Sequence, residues 1–336
     1  MATMFPHKYV PVDNAINEKL LRDFKGEKSG FCQVGDKKWL LPIAYKNHAE
    51  EYYTLPLRKD DIWVVTFPRS GTTLTQELVW IINNDLDFKT SLSVSLQDRF
   101  PFMELNTLIH DEHAQEIIDM NNDPVVTGLV KSWKTPGPRI AKDLKSPRHF
   151  KTHLPFSLLP PNLLNTSKVI YVARNPDDVV ASYYYHNKLV RLHDYTNDFQ
   201  QYWNYFKNDL VVFAPYWKHV EEGWNRRSHP NLLFLYYEDI VKDMRSVIRK
   251  VASFLGKTLS EDNVDQVFAH LQIENLRKVP MLTNANLVGF VNGSGEGFIR
   301  QGKVGGNKEL YGQLKEDVDE WVQENLRKTG LPPFPV

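Results

Sequence analysis

Cysteine is almost absent from this sequence, and neither sign of charge is in excess. The chain of 336 residues has one cysteine, Cys32, so it forms no internal disulfide, which is typical of a protein from a reducing compartment. Its 41 Lys and Arg residues balance its 41 Asp and Glu residues, so no overall field favours binding to nucleic acid or to an acidic membrane. Any anion-binding site must therefore be local.

Long apolar runs are missing as well. No segment approaches the roughly 20 residues of a membrane-spanning helix, and the first residues, Met1–Tyr9, lack the apolar core of a signal peptide. We therefore expect a cytoplasmic protein with no membrane partner and no nucleic-acid partner. The length and the 42% hydrophobic content suffice for one large α/β domain or for two small ones.

The first candidate anion site follows the apolar, strand-like run Ile62–Phe67. A tight loop comes next, and an amphipathic helix then starts at Leu74. Strand, loop and helix in this order direct backbone N–H groups and the positive end of the helix dipole at an anion. Gly71 lets the backbone approach closely, and the side-chain donors of the loop are Arg69, Ser70, Thr72 and Thr73.

This loop lacks two features of the P-loop of NTPases. There is no glycine five residues before Gly71 and no lysine directly after it, so a magnesium–nucleoside triphosphate site is not supported. A kinase of small molecules would also need a metal-binding acid near the loop, and none is evident. The other interpretation of the loop is a helix-capping turn that binds nothing.

A second strand, loop and helix repeats the plan. Val169–Ala173 is typical of a buried strand, and Arg174 follows it. Asn175 suits a helix N-cap and Pro176 suits the first helical position. Ser182 lies two turns into that helix, on roughly the face of the N-cap. The pattern indicates either a second anion site or a capped core helix with a solvent-exposed arginine.

A candidate base lies between these two sites. Lys151 and His153 are two residues apart in Phe150–Leu154, which is strand-like, so their side chains face the same side. A histidine beside a cation could act as a general base next to a charge stabiliser. The alternative is an exposed basic end of a strand.

The remaining segments are less clearly patterned. Residues 86–147 are interrupted by prolines, so we predict little regular structure there, apart from a short helix that Asp111–Met120 could form, and favour a lid over a substrate pocket. Asp198–Glu222 and Glu261–Leu276 are each predicted as one helix. The glycine-rich segment Gly289–Gly302 carries Arg300 and could close over a phosphate, or it could be a flexible surface loop.

Four motifs stand in order along the chain. They read Thr66-Phe-Pro-Arg-Ser-Gly-Thr-Thr73, Lys151-Thr-His-Leu-Pro155, Tyr171-Val-Ala-Arg-Asn-Pro-Asp-Asp-Val179 and Arg300-Gln-Gly-Lys-Val-Gly305. Together they resemble the cytosolic sulfotransferases, which transfer a sulfuryl group from 3′-phosphoadenosine 5′-phosphosulfate (PAPS) to an acceptor hydroxyl or amine. Residues 86–147 and the segment Gln33–Trp39 resemble the insect branch of that family, which includes retinol-dehydratase-like members.

The resemblance implies a fold and an activity. The fold would be a single α/β domain over residues 1–336, with a central, mostly parallel sheet flanked by helices, a phosphate-binding loop, and about residues 86–147 as a lid or insert. The activity would be sulfuryl transfer from PAPS to a small hydrophobic acceptor such as a phenol, alcohol, steroid or retinoid. PAP would be the product, and no metal would be needed.

The resemblance also implies roles for individual residues. His153 would take the proton of the acceptor, Lys151 would neutralise charge on the transferring group, and Phe102 and His186 would border the acceptor pocket. Arg69 would have both a catalytic role and a role in binding the nucleotide. The nucleotide-binding set would be Arg69, Ser70, Gly71, Thr72, Thr73 and Leu74 in the first loop and helix, with Arg174, Ser182, Tyr237, Arg300, Gln301 and Gly302.

The chain departs from the pattern of the family at four of these places. The family usually has lysine at Arg69, tryptophan at Leu74, an aromatic residue at Ile273 and lysine at Gln301. Loss of a stacking contact on adenine would cost about 1–3 kcal/mol, which leaves open a nucleotide- or ligand-binding module with weak or no turnover. The dimer motif of the family is not recognisable near the C-terminus, so both a monomer and a homodimer remain open.

Overall fold

The computed structural model of the protein describes residues 4–279, 282–283, 287–293, 304–306 and 308–335. Three residues that the resemblance assigns to nucleotide binding lie outside the described residues. They are Arg300, Gln301 and Gly302.

Two sheets account for the strands of the described residues. β1, β2 and β3 form an antiparallel sheet in that order. The other sheet is parallel throughout, with the order β5-β4-β6-β7. The strands are β1 (Tyr9–Pro11), β2 (Phe31–Val34), β3 (Trp39–Pro42), β4 (Ile62–Thr66), β5 (His149–Thr152), β6 (Lys168–Ala173) and β7 (Leu232–Tyr236).

Helices cover both faces of the parallel sheet. In chain order they are α1 (Asn14–Asp23), α2 (Ala49–Tyr53), α3 (Thr72–Asn83), α4 (Phe88–Ser93), α5 (Leu96–Arg99), α6 (Asp111–Asn121), α7 (Pro124–Trp133), α8 (Gly137–Asp143), α9 (Leu163–Thr166), α10 (Pro176–Leu189), α11 (Phe199–Lys207), α12 (Tyr216–Asn225), α13 (Tyr237–Lys242), α14 (Met244–Leu255), α15 (Glu261–His270), α16 (Ile273–Leu276), α17 (Lys308–Tyr311) and α18 (Lys315–Thr329). Short 3-10 turns lie at Ile43–Asn47, Leu105–Thr107, Phe156–Leu158 and Gly312–Leu314.

Side chains of the parallel strands alternate between the two faces of the sheet, and each face has its own hydrophobic core. In β4, Trp63 and Val65 pack on the side of the antiparallel sheet, α10 and α11, whereas Ile62 and Val64 pack against α3 and α14. Successive side chains of a strand point to opposite faces, and a parallel sheet covered on both faces is apolar throughout. The predicted α/β architecture is therefore confirmed, and the carboxyl ends of its strands meet at one edge.

The predicted start of the helix after β6 is confirmed. The Asn175 side chain accepts a hydrogen bond from the Asp177 N–H at 3.0 Å, and Pro176 occupies the first turn. This cap satisfies one of the N–H groups that a helix start leaves without an intrahelical partner.

Little regular structure was predicted for residues 86–147 beyond a short helix at Asp111–Met120. That helix is present as α6, but the wider prediction is wrong, because five helices, α4 to α8, lie there. Prolines misled the prediction: Pro124 and Pro138 lie in the first turns of α7 and α8, where the missing N–H of proline costs nothing. Side-chain caps from Asp87, Ser95 and Asp123 start three of the five helices.

Two long helices that the sequence predicts are each divided in two. Asp198–Glu222 consists of α11 and α12, because the chain turns through positive φ angles at Asp209 and Phe213 and restarts after Pro215. Glu261–Leu276 consists of α15 and α16. In the part of the chain that the structure describes, no helix is both long and apolar enough to cross a membrane.

Candidate active site

A cavity of about 620 Å³ lies where the loops after the parallel strands meet. Every described residue that the sequence or the resemblance singles out for a site lines this cavity, apart from Ser70. These lining residues are Arg69, Gly71, Thr72, Thr73, Leu74, Phe102, Lys151, His153, Arg174, Ser182, His186 and Tyr237.

The loop between β4 and α3 adopts an unusual backbone conformation. Arg69 has a φ of 67°, a left-handed value that costs a residue with a Cβ about 1–3 kcal/mol. Gly71 has a φ of 94° and forms the N-cap of α3, and a Cβ built there would lie 2.5 Å from Cδ2 of Tyr237. Only glycine fits this position without displacing the tyrosine. Ser70 is fully buried, and its Oγ has no hydrogen-bond partner among the described residues.

Arg69 joins the two predicted anion sites. Its Nε donates a hydrogen bond to Ser182 Oγ at 3.1 Å, and its Nη1 lies 3.5 Å from Nδ1 of His186. The resemblance places Arg69 at the 5′ end of the nucleotide and Ser182 at the 3′-phosphate. The two sites are therefore contiguous in this structure.

Arg174 supports the same loop from the end of β6. Its Nη1 donates to the Arg69 carbonyl oxygen at 3.0 Å, and its Nη2 lies 3.6 Å from an oxygen of Asp178. The guanidinium carbon is 4.3 Å from the ring centroid of Tyr237, within the range of a cation–π contact. With only 8% of its surface exposed, Arg174 is not the solvent-exposed arginine of the alternative interpretation.

A backbone carbonyl holds the ring of His153. Its Nδ1 lies 2.8 Å from the Thr66 carbonyl oxygen, so we assign the proton to Nδ1 and the lone pair to Nε2. Burial, reinforced by the positive charge of Lys151, holds the pKa of His153 well below its usual value. The ring is therefore neutral near pH 7 and can accept a proton. Phe102 and Phe213 flank it, with centroids 5.2 Å and 5.4 Å away.

Lys151 is a partly dehydrated cation on the wall of the same cavity. Its Nζ lies 3.9 Å from the ring centroid of Phe102. Burial lowers the pKa of Lys151 to about 8, while the negative charge of Glu104 opposes the shift and the positive charge of Arg69 adds to it. The spacing of Lys151 and His153 in the sequence predicts that they share one side, and both line the cavity.

Glu104 is a buried acid that the sequence did not single out. Its carboxylate accepts hydrogen bonds from the His153 N–H at 2.6 Å and from Thr152 Oγ1 at 2.8 Å. Burial raises the pKa of Glu104 to about 7 in spite of these bonds. The carboxylate fixes the backbone of His153 from one side. The only signal in the sequence is that Glu104 directly follows the apolar run Phe100-Pro-Phe-Met103.

His219 holds the backbone of His153 from another side and was also missed. Its Nε2 lies 3.0 Å from the His153 carbonyl oxygen, and its Nδ1 lies 2.7 Å from the hydroxyl of Tyr171. Burial lowers the pKa of His219 to about 4, so the ring is neutral, with one nitrogen donating and the other accepting. His219 lies on α12, far along the chain from His153, and no local pattern indicates the contact.

One end of the cavity is polar and the other is apolar. The polar end contains the loop after β4 and Arg174, described above. The apolar end is enclosed by residues from segments that lie far apart in the sequence. They are Leu105, Leu108, Val190, Leu192, Phe213 and Phe290.

A stacking surface lies among the lining residues contributed by α14 to α16. Leu74 and Ile273, where the family usually has aromatic residues, both line the cavity. The guanidinium carbon of Arg245 lies 3.7 Å from the ring centroid of Phe268, and both residues line it too. Arg245 Nε donates to Asp265 at 2.8 Å, which holds the guanidinium in place.

The polar end fits a phosphorylated nucleotide. It combines the N-terminus of α3 with the cations Arg69, Lys151 and Arg174, which are the groups that bind phosphate and sulfate oxygens. Among the described residues, no group of three or more His, Cys, Asp or Glu side chains could hold a metal ion.

Comparisons with known proteins give one family. A family model described as the sulfotransferase domain matches residues 59–330. Luciferin sulfotransferase of Photinus pyralis is 34% identical over 346 residues, which covers 98% of this chain and 89% of that protein. Sulfotransferase 4A1 of Homo sapiens is 33% identical over 293 residues, which covers 87% of this chain and 89% of that protein.

Solved structures give the same result. Retinol dehydratase in a complex with retinol and PAP has a TM-score of 0.90 and 32% sequence identity, and the match covers 98% of this chain and 100% of that chain. Retinol dehydratase in complex with androsterone and PAP has a TM-score of 0.89 and 32% identity, with 98% and 99% coverage.

Proposed function

The chain belongs to the sulfotransferase family, whose co-substrate is PAPS, and we propose that it transfers the sulfuryl group to a hydroxyl or amine of a small hydrophobic acceptor such as a phenol, alcohol, steroid or retinoid. The observation that carries the proposal is the orientation of His153. Its Nδ1 is held by the Thr66 carbonyl, which leaves Nε2 as the base, in the same cavity as Lys151 and the anion-binding loop.

In the proposal, the polar end of the cavity holds the nucleotide. The loop from Arg69 to Thr73 and the N-terminus of α3 bind the 5′-phosphosulfate, and Arg174 and Ser182 bind the 3′-phosphate. Tyr237 borders the adenine. The Arg245–Phe268 pair supplies a stacking surface in place of the aromatic residues that Leu74 and Ile273 replace.

The reaction follows from the positions of three side chains. His153 Nε2 takes the proton of the acceptor hydroxyl, and the hydroxyl oxygen forms a bond to sulfur while the bond from sulfur to the 5′-phosphate oxygen breaks. Lys151 and Arg69 offset the negative charge that grows on the departing phosphate. Because the guanidinium of Arg69 does not readily give up a proton, PAP leaves as the anion.

The apolar end of the cavity holds the acceptor in this proposal. Phe102 borders His153, and His186 lies next to Arg69. Leu105 and Leu108 come from residues 86–147, which supports a lid role for that region. The similar retinol dehydratase structures contain retinol and androsterone, both small and hydrophobic. We also propose a cytoplasmic location, which the buried free thiol of Cys32 supports.

The test is turnover of PAPS with a panel of phenols, alcohols, steroids and amines, with PAP and the sulfated product both quantified. His153→Ala should lower kcat by about 10²–10⁴-fold, the usual contribution of one positioned base, and should still bind PAP. His48→Ala is the control, because His48 does not line the cavity. Full turnover by His153→Ala would rule out the proposed mechanism, and PAP binding without product in the wild type would indicate a binding module.

A further inference from the structure

His193 is a buried polar side chain in the cavity that the proposed reaction does not use. It lines the cavity and is only 9% exposed. Within the described residues, its ring nitrogens form no hydrogen bond, and its ring contacts are aromatic. The ring centroid lies 5.5 Å from that of His186 and 6.3 Å from that of Tyr183, the latter edge-on.

The backbone fixes His193 in this place. Its N–H donates to the Val190 carbonyl at 3.0 Å, and its own carbonyl accepts from the Gly26 N–H at 3.0 Å. Both contacts hold the backbone of the turn after α10, and packing against His186 and Tyr183 restricts the ring. A preorganised group of this kind binds a ligand at a low entropic cost.

The surroundings of His193 make an absent partner costly. Val190, Leu192 and Phe290 line this end of the cavity, and once a ligand excludes water from it, a ring nitrogen left without a hydrogen bond costs about 1–3 kcal/mol. Burial lowers the pKa of His193 to about 4, so the ring is neutral at pH 7. It therefore offers one N–H donor and one nitrogen acceptor to whatever fills the cavity.

His193 is also separate from the reacting centre. His186 lies between them, because it approaches Arg69 through its Nδ1 and His193 through its ring. The cavity thus has polar side chains at the point of transfer, among them Arg69 and His153, and a further one, His193, within its apolar end. A ligand that satisfies both has an oxygen at each place.

We propose that His193 binds a second oxygen of the acceptor, a carbonyl or hydroxyl remote from the group that is sulfated. The protein then favours acceptors that are oxygenated at two ends over acceptors with a single polar group. This inference rests on the proposed function and narrows its substrate class.

The test uses acceptor pairs that differ only in the second oxygen. One series consists of 4-alkylphenols of increasing chain length beside the same phenols ending in a methyl ketone, which cannot itself be sulfated. The rigid pair is androsterone and its 17-deoxy analogue. For wild type we expect kcat/KM to favour the ketone about 2- to 10-fold in the rigid pair or at the chain length that reaches His193, the usual value of one hydrogen bond.

Variants assign this preference to the imidazole. His193→Leu should abolish the preference, so that kcat/KM becomes the same for the two members of a pair, and His193→Gln, which retains a donor, should keep part of it. Leu192→Ala is the matched control and should affect both members of a pair alike. If the wild type sulfates both members equally at every chain length and in the rigid pair, the inference is wrong but the proposed function stands. The same holds if His193→Leu lowers kcat/KM equally for both members of a pair. If neither series is sulfated, the proposed function fails as well.

Discussion

The two ends of the cavity are built in different ways. The polar end comes from residues at or directly after the ends of parallel strands. Arg69 and Gly71 follow β4, Lys151 lies in β5, and Arg174 follows β6 and donates to the Arg69 carbonyl oxygen. The apolar end is assembled from residues between Leu105 and Phe290 that meet only in the folded chain. The polar end is thus fixed by local backbone geometry, whereas the apolar end depends on the helices packed over it.

Mutations at the two ends of the cavity should differ most in their effects on ligand binding. Arg174→Ala should weaken PAP binding about 10- to 100-fold, because hydrogen bonds to charged groups contribute about 1.5–3 kcal/mol. Leu108→Ala, its counterpart at the apolar end, should raise the KM of the acceptor and leave the Kd of PAP unchanged. Calorimetric titration with PAP and acceptor kinetics measure the two quantities. If both variants changed both constants, the ends would not be independent.

A pH profile sharpens the same comparison, because the titrating cation belongs to the polar end. Burial lowers the pKa of Lys151 to about 8, and an amine is charged below its pKa and neutral above it. With an aliphatic alcohol as acceptor, kcat/KM for PAPS should therefore fall above about pH 8, approaching tenfold per unit. His153 adds no limb there, since its pKa lies well below its usual value.

The Lys151→Arg variant tests whether the fall in kcat/KM above about pH 8 comes from Lys151 or from another titrating group. An arginine remains charged throughout the range, so the fall above pH 8 should vanish in the variant even if its rate is lower. Saturating PAPS should move the wild-type limb to higher pH, because a bound anion favours the charged amine. An unchanged alkaline limb in Lys151→Arg would show that another group titrates.

The effect furthest from ligand binding concerns the stability of the loop itself. Gly71→Ala and Gly256→Ala both place a Cβ at a positive φ, 94° and 77°, but only the first meets a neighbour, Tyr237 at 2.5 Å. Strain in φ costs both variants about 1 kcal/mol or more, and the clash should cost Gly71→Ala about 1–3 kcal/mol in addition. Urea unfolding measures both. Equal losses would mean that Tyr237 moves aside freely.

The parts of the molecule that the sequence alone predicts are those encoded by local patterns. The strand, loop and helix around Gly71 and the Asn175–Pro176 helix start are encoded within a few residues, so the parallel sheet and its carboxyl edge could be predicted. In residues 86–147 only α6 could be predicted. The other four helices are short, and Pro124 and Pro138 lie in the first turns of α7 and α8, where proline does not break a helix.

Contacts between distant segments explain what was missed. Glu104 reaches the His153 N–H because the Pro101 carbonyl and the Met103 N–H pair with Lys151 at the edge of β5. His219 reaches the His153 carbonyl from α12, and His193 lines the cavity from the turn after α10. No spacing in the sequence indicates such pairings, since they arise from tertiary packing.

The most direct test of the central claim is the formation of PAP from PAPS by the purified wild-type protein, with and without a hydrophobic acceptor. The arrangement of His153, Lys151 and Arg69 predicts PAP formation only when an acceptor is present, in an amount equal to the acceptor consumed. This holds whether the sulfated acceptor persists or decomposes afterwards. Saturable PAPS binding with no acceptor-dependent PAP, across the whole panel, would contradict the claim that this cavity carries out sulfuryl transfer.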